Sequence, residues 1–292
     1  MVTAPAGVKP DGVEVDAGLG GRWTSLVISG REWLWSRPEP LRAEAVPGVV
    51  FADAGGIEEC IPTVRGRPDH GDAWSRPWRP EPGDQGRAEN FNILKVAGPS
   101  FQLSRGFHVV AGGIVAAYRL TADPGFRFVW AAHALLALSG QATLAVPAGT
   151  KLRLYPEAAP FLADPWPTGA PFVEHPWPGP GDLRLDRVGG DPGLDGSAVG
   201  AIALDCPDTL VTDGGSQLKF RLCGPVGAPV STAIWRNLGG FPPDRPYRST
   251  GVEPMLGAVF DLAEARSPAD AVTVPASGEV TWELTITGAG AA

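Results

Sequence analysis

The sequence is short of the residues on which much recognisable chemistry is built. It holds four lysines, four histidines, three cysteines and two methionines among 292 residues. Lys9, Lys95, Lys151 and Lys219 lie in no setting that suggests a Schiff base. Cys60, Cys206 and Cys223 are odd in number and form no C-x-x-C pair. Neither a disulfide framework nor a zinc ribbon is expected, and a reducing compartment fits. Positive charge is also scarce: 24 Lys and Arg face 32 Asp and Glu, a net charge of −8. A nucleic-acid partner, which requires a basic face to displace counterions, is excluded on that ground. The most apolar stretch, residues 126–138, is too short to cross a bilayer and contains His133, and the N-terminal MVTAPAGVKPDG has no apolar h-region. These observations predict a soluble, cytoplasmic protein with no membrane partner.

Missing, too, are a G-x-G-x-x-G strand-to-helix unit, a P-loop, H-E-x-x-H and G-x-S-x-G. No pair of histidines has metal-ligand spacing. What remains is acid–base chemistry without cofactor or metal. Helical periodicity is sparse; DLAEARS, from Asp261, is the one segment expected to form two helical turns.

What the sequence has in excess is turn punctuation. Gly 39 and Pro 31 are set in a chain that is 43% hydrophobic and only 19% charged, which excludes disorder and points to many short strands. In EVTWELTIT, Val280, Trp282, Leu284 and Ile286 share one face of a predicted strand, and Leu218, Phe220 and Leu222 do so in QLKFRL. Residues 107–122 read as one long strand bent at Gly112–Gly113, forming a hairpin with the run from Phe126 through the turn ADPG. Residues 156–196, dense in Pro, Gly and Trp, read as excursions crossing a sheet and shaping the rim of a site. The expected architecture is all-β, a single β-sandwich-like domain over residues 1–292.

Four histidines can be weighed singly. His70 lies in PDHGDAWSRPW, where an imidazole, the Arg76 guanidinium and the indoles of Trp74 and Trp78 offer polar groups beside apolar platforms. A pyranose has polar edges and an apolar face and suits that combination; the plainer reading is a surface loop anchored by its tryptophans. His133, in VWAAHALL, is either a satisfied core histidine or an imidazole at a pocket floor with a tuned pKa. Glu253, in RSTGVEPMLG, is held extended by Pro254, and a carboxylate in apolar company can serve as a base; the plainer reading is an exposed strand end. His108 and His175 stand in weaker settings. Ten tryptophans, Trp235 among them, allow for an aromatic sugar-binding face.

Taken in order, GGRWTSLVISGREWLW, GGIEECIPTV, DHGDAWSRPW, WAAHALL, IWRNLGGFPPDRPYRSTGVEPMLG and VPASGEVTWELTIT resemble blocks of the galactose mutarotase-like (aldose 1-epimerase) family over nearly the whole chain. The resemblance implies a large antiparallel β-supersandwich with its site on a concave face. It implies Glu253 as base, His133 as acid and His70 as a second imidazole gripping the sugar oxygens. Arg76, Trp74, Trp78 and Trp235 would complete the substrate contacts. The implied activity is interconversion of the α and β anomers of an aldose, with no cofactor and a small-molecule sugar as partner, as a monomer or a homodimer. Two alternatives stay open: a hexose-6-phosphate mutarotase using Arg65, Arg67, Arg76 and Arg79, and a non-catalytic carbohydrate-binding protein. A hydrolase would need two carboxylates, for which Glu58 and Glu59 are the nearest pair.

Overall fold

The computed structural model describes residues 11–81, 93–187 and 195–289. Two large antiparallel sheets and a two-stranded ribbon, Arg127–Phe128 with Val272–Thr273, are formed by the described residues. The larger has ten strands, ordered Gly12–Asp16, Arg22–Ile28, Ile57–Cys60, Trp130–Ala134, Tyr247–Leu256, Val230–Phe241, Ala198–Ala203, Lys151–Leu154 and Val173–Pro176, with Arg31–Glu32 folded back on Arg22–Ile28. The smaller has eight, ordered Thr143–Ala145, Asp208–Asp213, Ser216–Cys223, Glu279–Ala289, Gly113–Ala122, Phe101–Val110, Ile93–Ala97 and Arg79–Pro80. Helical structure among the described residues is short: Pro40–Ala43 makes one α-helical turn and Pro156–Phe161 two turns of 3-10 helix. Asp261 caps one turn of 3-10 helix, Leu262–Glu264, where two turns are expected from the sequence.

Period-2 alternation decides what each strand buries. Val280, Trp282, Leu284 and Ile286 point into the main core together with Leu218, Phe220 and Leu222. Ala132, Ala134, Ile234 and Val252 of the larger sheet join the same core. Their neighbours Ala131, Ala233 and Met255 pack on the opposite face in a second apolar cluster with Cys60, Tyr155, Ile202 and Phe260. The central strands of the larger sheet are therefore covered on both faces, which explains their nearly continuous apolar sequences.

The strand expected across residues 107–122 is two strands. Val110 pairs with Gly113, and the chain reverses through Ala111–Gly112, with Gly112 in the left-handed region at φ 69°. Gly113 lies so close to the backbone of the Glu279–Ala289 strand that a Cβ there would collide with Ile286 O. The next run, Trp130–Ala134, crosses to the other sheet and does not form the expected hairpin. Residues 188–194 of the Pro-rich excursion lie outside the described part. Its described portion supplies the edge strand Val173–Pro176 and buries Leu183 and Leu185 in the main core.

Candidate functional site

The register of the larger sheet lines up three ionisable side chains across adjacent strands. His133 pairs with Glu58 on one side. On the other, the pairs Ala131↔Met255 and Leu135↔Gly251 bracket His133 and set it opposite Glu253. Residues directly opposite share a face, so Glu58, His133 and Glu253 form one row on the face turned away from the smaller sheet. All three are buried. Pairing of the His133 and Glu253 strands is interrupted between those two bracketing pairs, the stretch that holds Pro254, which has no N–H to donate to a ladder.

Nδ1 of His133 lies 2.9 Å from Oε1 of Glu253, an ion-pair contact off the axis of an aligned hydrogen bond. Burial alone would favour the neutral imidazole. The Glu253 carboxylate outweighs it, with Asp53 and Glu58 assisting, and pushes the His133 pKa up to about 9. Gly251 makes room for this carboxylate: a Cβ there would collide with Glu253 Oε1. Glu58 is pushed up to about 7 by burial, against the opposing pull of Arg42. Arg42 grips it with Nε to Oε1 at 2.9 Å and Nη2 to Oε2 at 3.1 Å.

His70 reaches the same place from a loop. Its φ of 56° is uncommon outside glycine. The turn is pinned by His70 N to Val64 O at 3.0 Å, and Gly71 packs so tightly on Ile61 that a Cβ would strike Ile61 O. His70 Nδ1 lies 3.0 Å from Asp69 Oδ1. The Asp69 carboxyl is held below its usual range by its bonds to His70 and Phe51, which outweigh its own desolvation. An ionised carboxylate only accepts, so Nδ1 carries the proton and Nε2 is left as an acceptor. Burial, reinforced by the charge of His133, lowers the His70 pKa and keeps the ring neutral. The two imidazoles stand 5.1 Å apart at 77°. Phe51 stacks on His70 at 3.7 Å and meets His133 edge-on at 5.6 Å.

The tryptophans divide. Trp235 is partly exposed on the site face, paired with both Gly251 and Gly200, its Nε1 bonded to Ser249 Oγ at 3.1 Å. Trp74 is buried; its Nε1 bonds Asp69 O at 3.0 Å and its edge meets Phe51 at 78°, so it props the His70 loop and offers no open platform. Trp78 corrects the sequence reading more sharply. It belongs to the core between the sheets, bonded to Ala73 O and beneath the Arg105 guanidinium, with no surface for a ligand. Arg76 is engaged with Asp72 at 3.3 Å, and no described contact joins it to either imidazole or to Glu253. The arginine cluster suggested by the sequence is dispersed: Arg65 pairs with Glu157, while Arg67 and Arg79 are exposed.

Glu58 and Glu59 are not a hydrolase pair, because neighbours on a strand face opposite ways. Glu59 points between the sheets, where Arg105, Tyr118, Trp23 and Trp130 all bond its carboxylate. Sequence reasoning missed Phe51, Arg42 and the part played by Glu58. Nothing local marks the first two; for Glu58 the signal was its place one residue ahead of Glu59 in a strand with both faces buried. Among the described residues no group of three or more His, Cys, Asp or Glu is disposed to hold a metal ion, and no helix is long and apolar enough to cross a membrane.

Neither a protein-family model nor a curated protein matches the sequence. Solved structures do match in shape. The Slr1438 protein of Synechocystis sp. PCC 6803 superposes with a TM-score of 0.65 at 14% identity, over 99% of this chain and 100% of that one. A candidate aldose 1-epimerase from Escherichia coli K12 gives 0.63 at 15%, over 95% of each chain. A galactose mutarotase-like protein from Lactobacillus casei ATCC 334 gives 0.60 at 15%, over 95% of this chain and 96% of that one. The fold is that of the galactose mutarotase-like proteins.

Proposed function

We propose that the protein is a divergent aldose 1-epimerase, opening and reclosing the ring of an aldose by general acid–base catalysis. The observation that carries this reading is the buried contact of His133 with Glu253, which holds the imidazole protonated at neutral pH within reach of a carboxylate. The likeness in fold to proteins described as mutarotase-like adds support.

Anomer exchange needs two coupled proton transfers. Glu253 takes the proton of the C1 hydroxyl while imidazolium His133 gives one to the ring oxygen O5, and the C1–O5 bond breaks. The open aldehyde turns about C1–C2. The O5 hydroxyl then attacks the other face of C1, returning its proton to His133 while Glu253 gives its proton to the carbonyl oxygen. Each positioned transfer contributes roughly 10²–10⁴-fold. Neutral His70, through Nε2, accepts a hydrogen bond from a sugar hydroxyl, and Phe51 and the buried floor limit water around the opening bond.

The test is relaxation of freshly dissolved α-anomers, followed by polarimetry or NMR exchange across aldoses and hexose 6-phosphates. Wild type is expected to accelerate relaxation, and Glu253→Gln, nearly the same size, to lose about 10²–10⁴-fold in kcat. A wild type that binds sugars but accelerates none of them would overturn the catalytic reading in favour of a binding protein.

A further inference from the structure

The face that carries His133 and Glu253 extends across further strands, and a second charged group lies on it. Gly251 pairs with Trp235, and Trp235 with Gly200. The three positions form one row, with a glycine on each side of the indole-bearing residue. Each glycine leaves its space to a charged side chain. Over Gly251 sits the Glu253 carboxylate. Over Gly200 sits the guanidinium of Arg65, which a Cβ there would strike, with Glu157 Oε1 3.1 Å from the same point. Arg65 Nη2 bonds Glu157 Oε1 at 2.6 Å, and Gly200 N donates to the same oxygen at 3.2 Å. Arg65 also lies against the rings of Phe260 and Tyr155, at 4.6 and 5.3 Å from their centroids. The pair is fixed in place yet open: Arg65 is 38% and Glu157 26% exposed.

We propose that the Arg65–Glu157 pair is the subsite for the edge of the sugar opposite C1, and that it selects an uncharged aldopyranose presenting hydroxyls there. This rests on the anomer-exchange reading of His133 and Glu253. The spacing matches. Two interstrand steps put the groups over Gly251 and Gly200 roughly 10 Å apart. Oxygens on opposite carbons of a pyranose are about 5 Å apart, and a hydrogen bond of about 2.8 Å at each end brings the span to about 11 Å. Trp235 lies between, beneath the apolar face of such a ring. The chemistry selects hydroxyls, since a guanidinium donates and a carboxylate accepts, the two needs of an alcohol. A phosphate or carboxylate substituent would meet the Glu157 charge beside the arginine that already satisfies it.

The experiment compares the best neutral aldose, its 4-deoxy analogue and its 6-phosphate on wild type, Arg65→Met and Glu157→Gln. Loss of a hydrogen bond to a charged group is expected to raise KM roughly 10- to 100-fold, with kcat changed less than about threefold. The 4-deoxy analogue should suffer a similar KM penalty on wild type, which involves no variant that could misfold, and should show little further loss on the variants. The 6-phosphate should be the poorer substrate. Unchanged KM in both variants, a fall in kcat alone, or preference for the 6-phosphate would each overturn the subsite. If wild type turns over no sugar, the anomer-exchange reading falls, and NMR titration of the neutral aldose into wild type and Arg65→Met decides the subsite by binding. Weakened binding in the variant then supports it, and equal or absent binding overturns it.

Discussion

The chemistry assigned to His133 depends on its neighbours more than on itself. A buried imidazole without partners would lose its proton near or below neutral pH. Facing Glu253 at 2.9 Å, with Glu58 in the same row, it keeps the proton up to about pH 9. Activity limited by this acid is expected to hold through neutrality and to fall above about pH 9, which a pH profile of kcat measures directly; a decline beginning near pH 6.5 would mean that the carboxylate does not govern the imidazole. Gly251 gives a second test at this scale. Gly251→Ala places a methyl against Glu253 Oε1 and is expected to lower kcat more than tenfold while the protein stays folded. Unaltered kcat would show that the carboxylate has another place to rest.

Within single elements, alternation gives adjacent residues different tasks. In Ile57–Cys60, Glu58 turns to the site and Glu59 to the core. Glu59→Gln leaves Arg105 charged and fully buried without its counter-ion, for which a destabilisation of about 3–5 kcal/mol is expected in urea unfolding, since breaking a buried pair costs far more than a surface one. The tryptophans follow the same logic. Trp78→Ala empties part of the core and is expected to cost about 3–5 kcal/mol. Trp235→Ala, on the partly exposed site face, is expected to act on KM with a smaller loss of stability. A reversal of that order in paired melts and kinetics would show that Trp235 is the structural indole.

For the whole molecule, Glu58 and His133 give stability a definite dependence on pH. Both pKa values are raised in the folded state, to about 7 and about 9. A group with a raised pKa binds more protons when folded, so its contribution is complete below its unfolded pKa and is lost as pH rises through the folded one. For Glu58 that window runs from about 4.5 to 7, and for His133 from about 6.5 to 9. Stability is therefore expected to decline from about pH 6.5 to 9, above the range in which the lowered pKa of His70 acts in the opposite sense, with Glu58→Gln flattening the lower part of that slope. Melting temperatures that rise with pH over this range would contradict the assignment.

Local pattern was enough for part of this. Period-2 alternation in EVTWELTIT and QLKFRL determined which side chains enter the core, and the excess of Gly and Pro determined an all-β chain. Glu253, His133 and His70 were legible as candidates because histidines are few and the segments around them resemble family blocks. The sequence could not divide Trp78, Trp74 and Trp235 into core, prop and site face. Nor could it separate Glu58 from Glu59, or show that Phe51 lies on both imidazoles. Those outcomes depend on which strands become neighbours and in what register. Pairing is a long-range choice, settled when two sheets bury their apolar faces against each other, and a shift of one residue would exchange the site for the core. The tertiary structure alone set Glu253 opposite His133 and put Arg65 over Gly200.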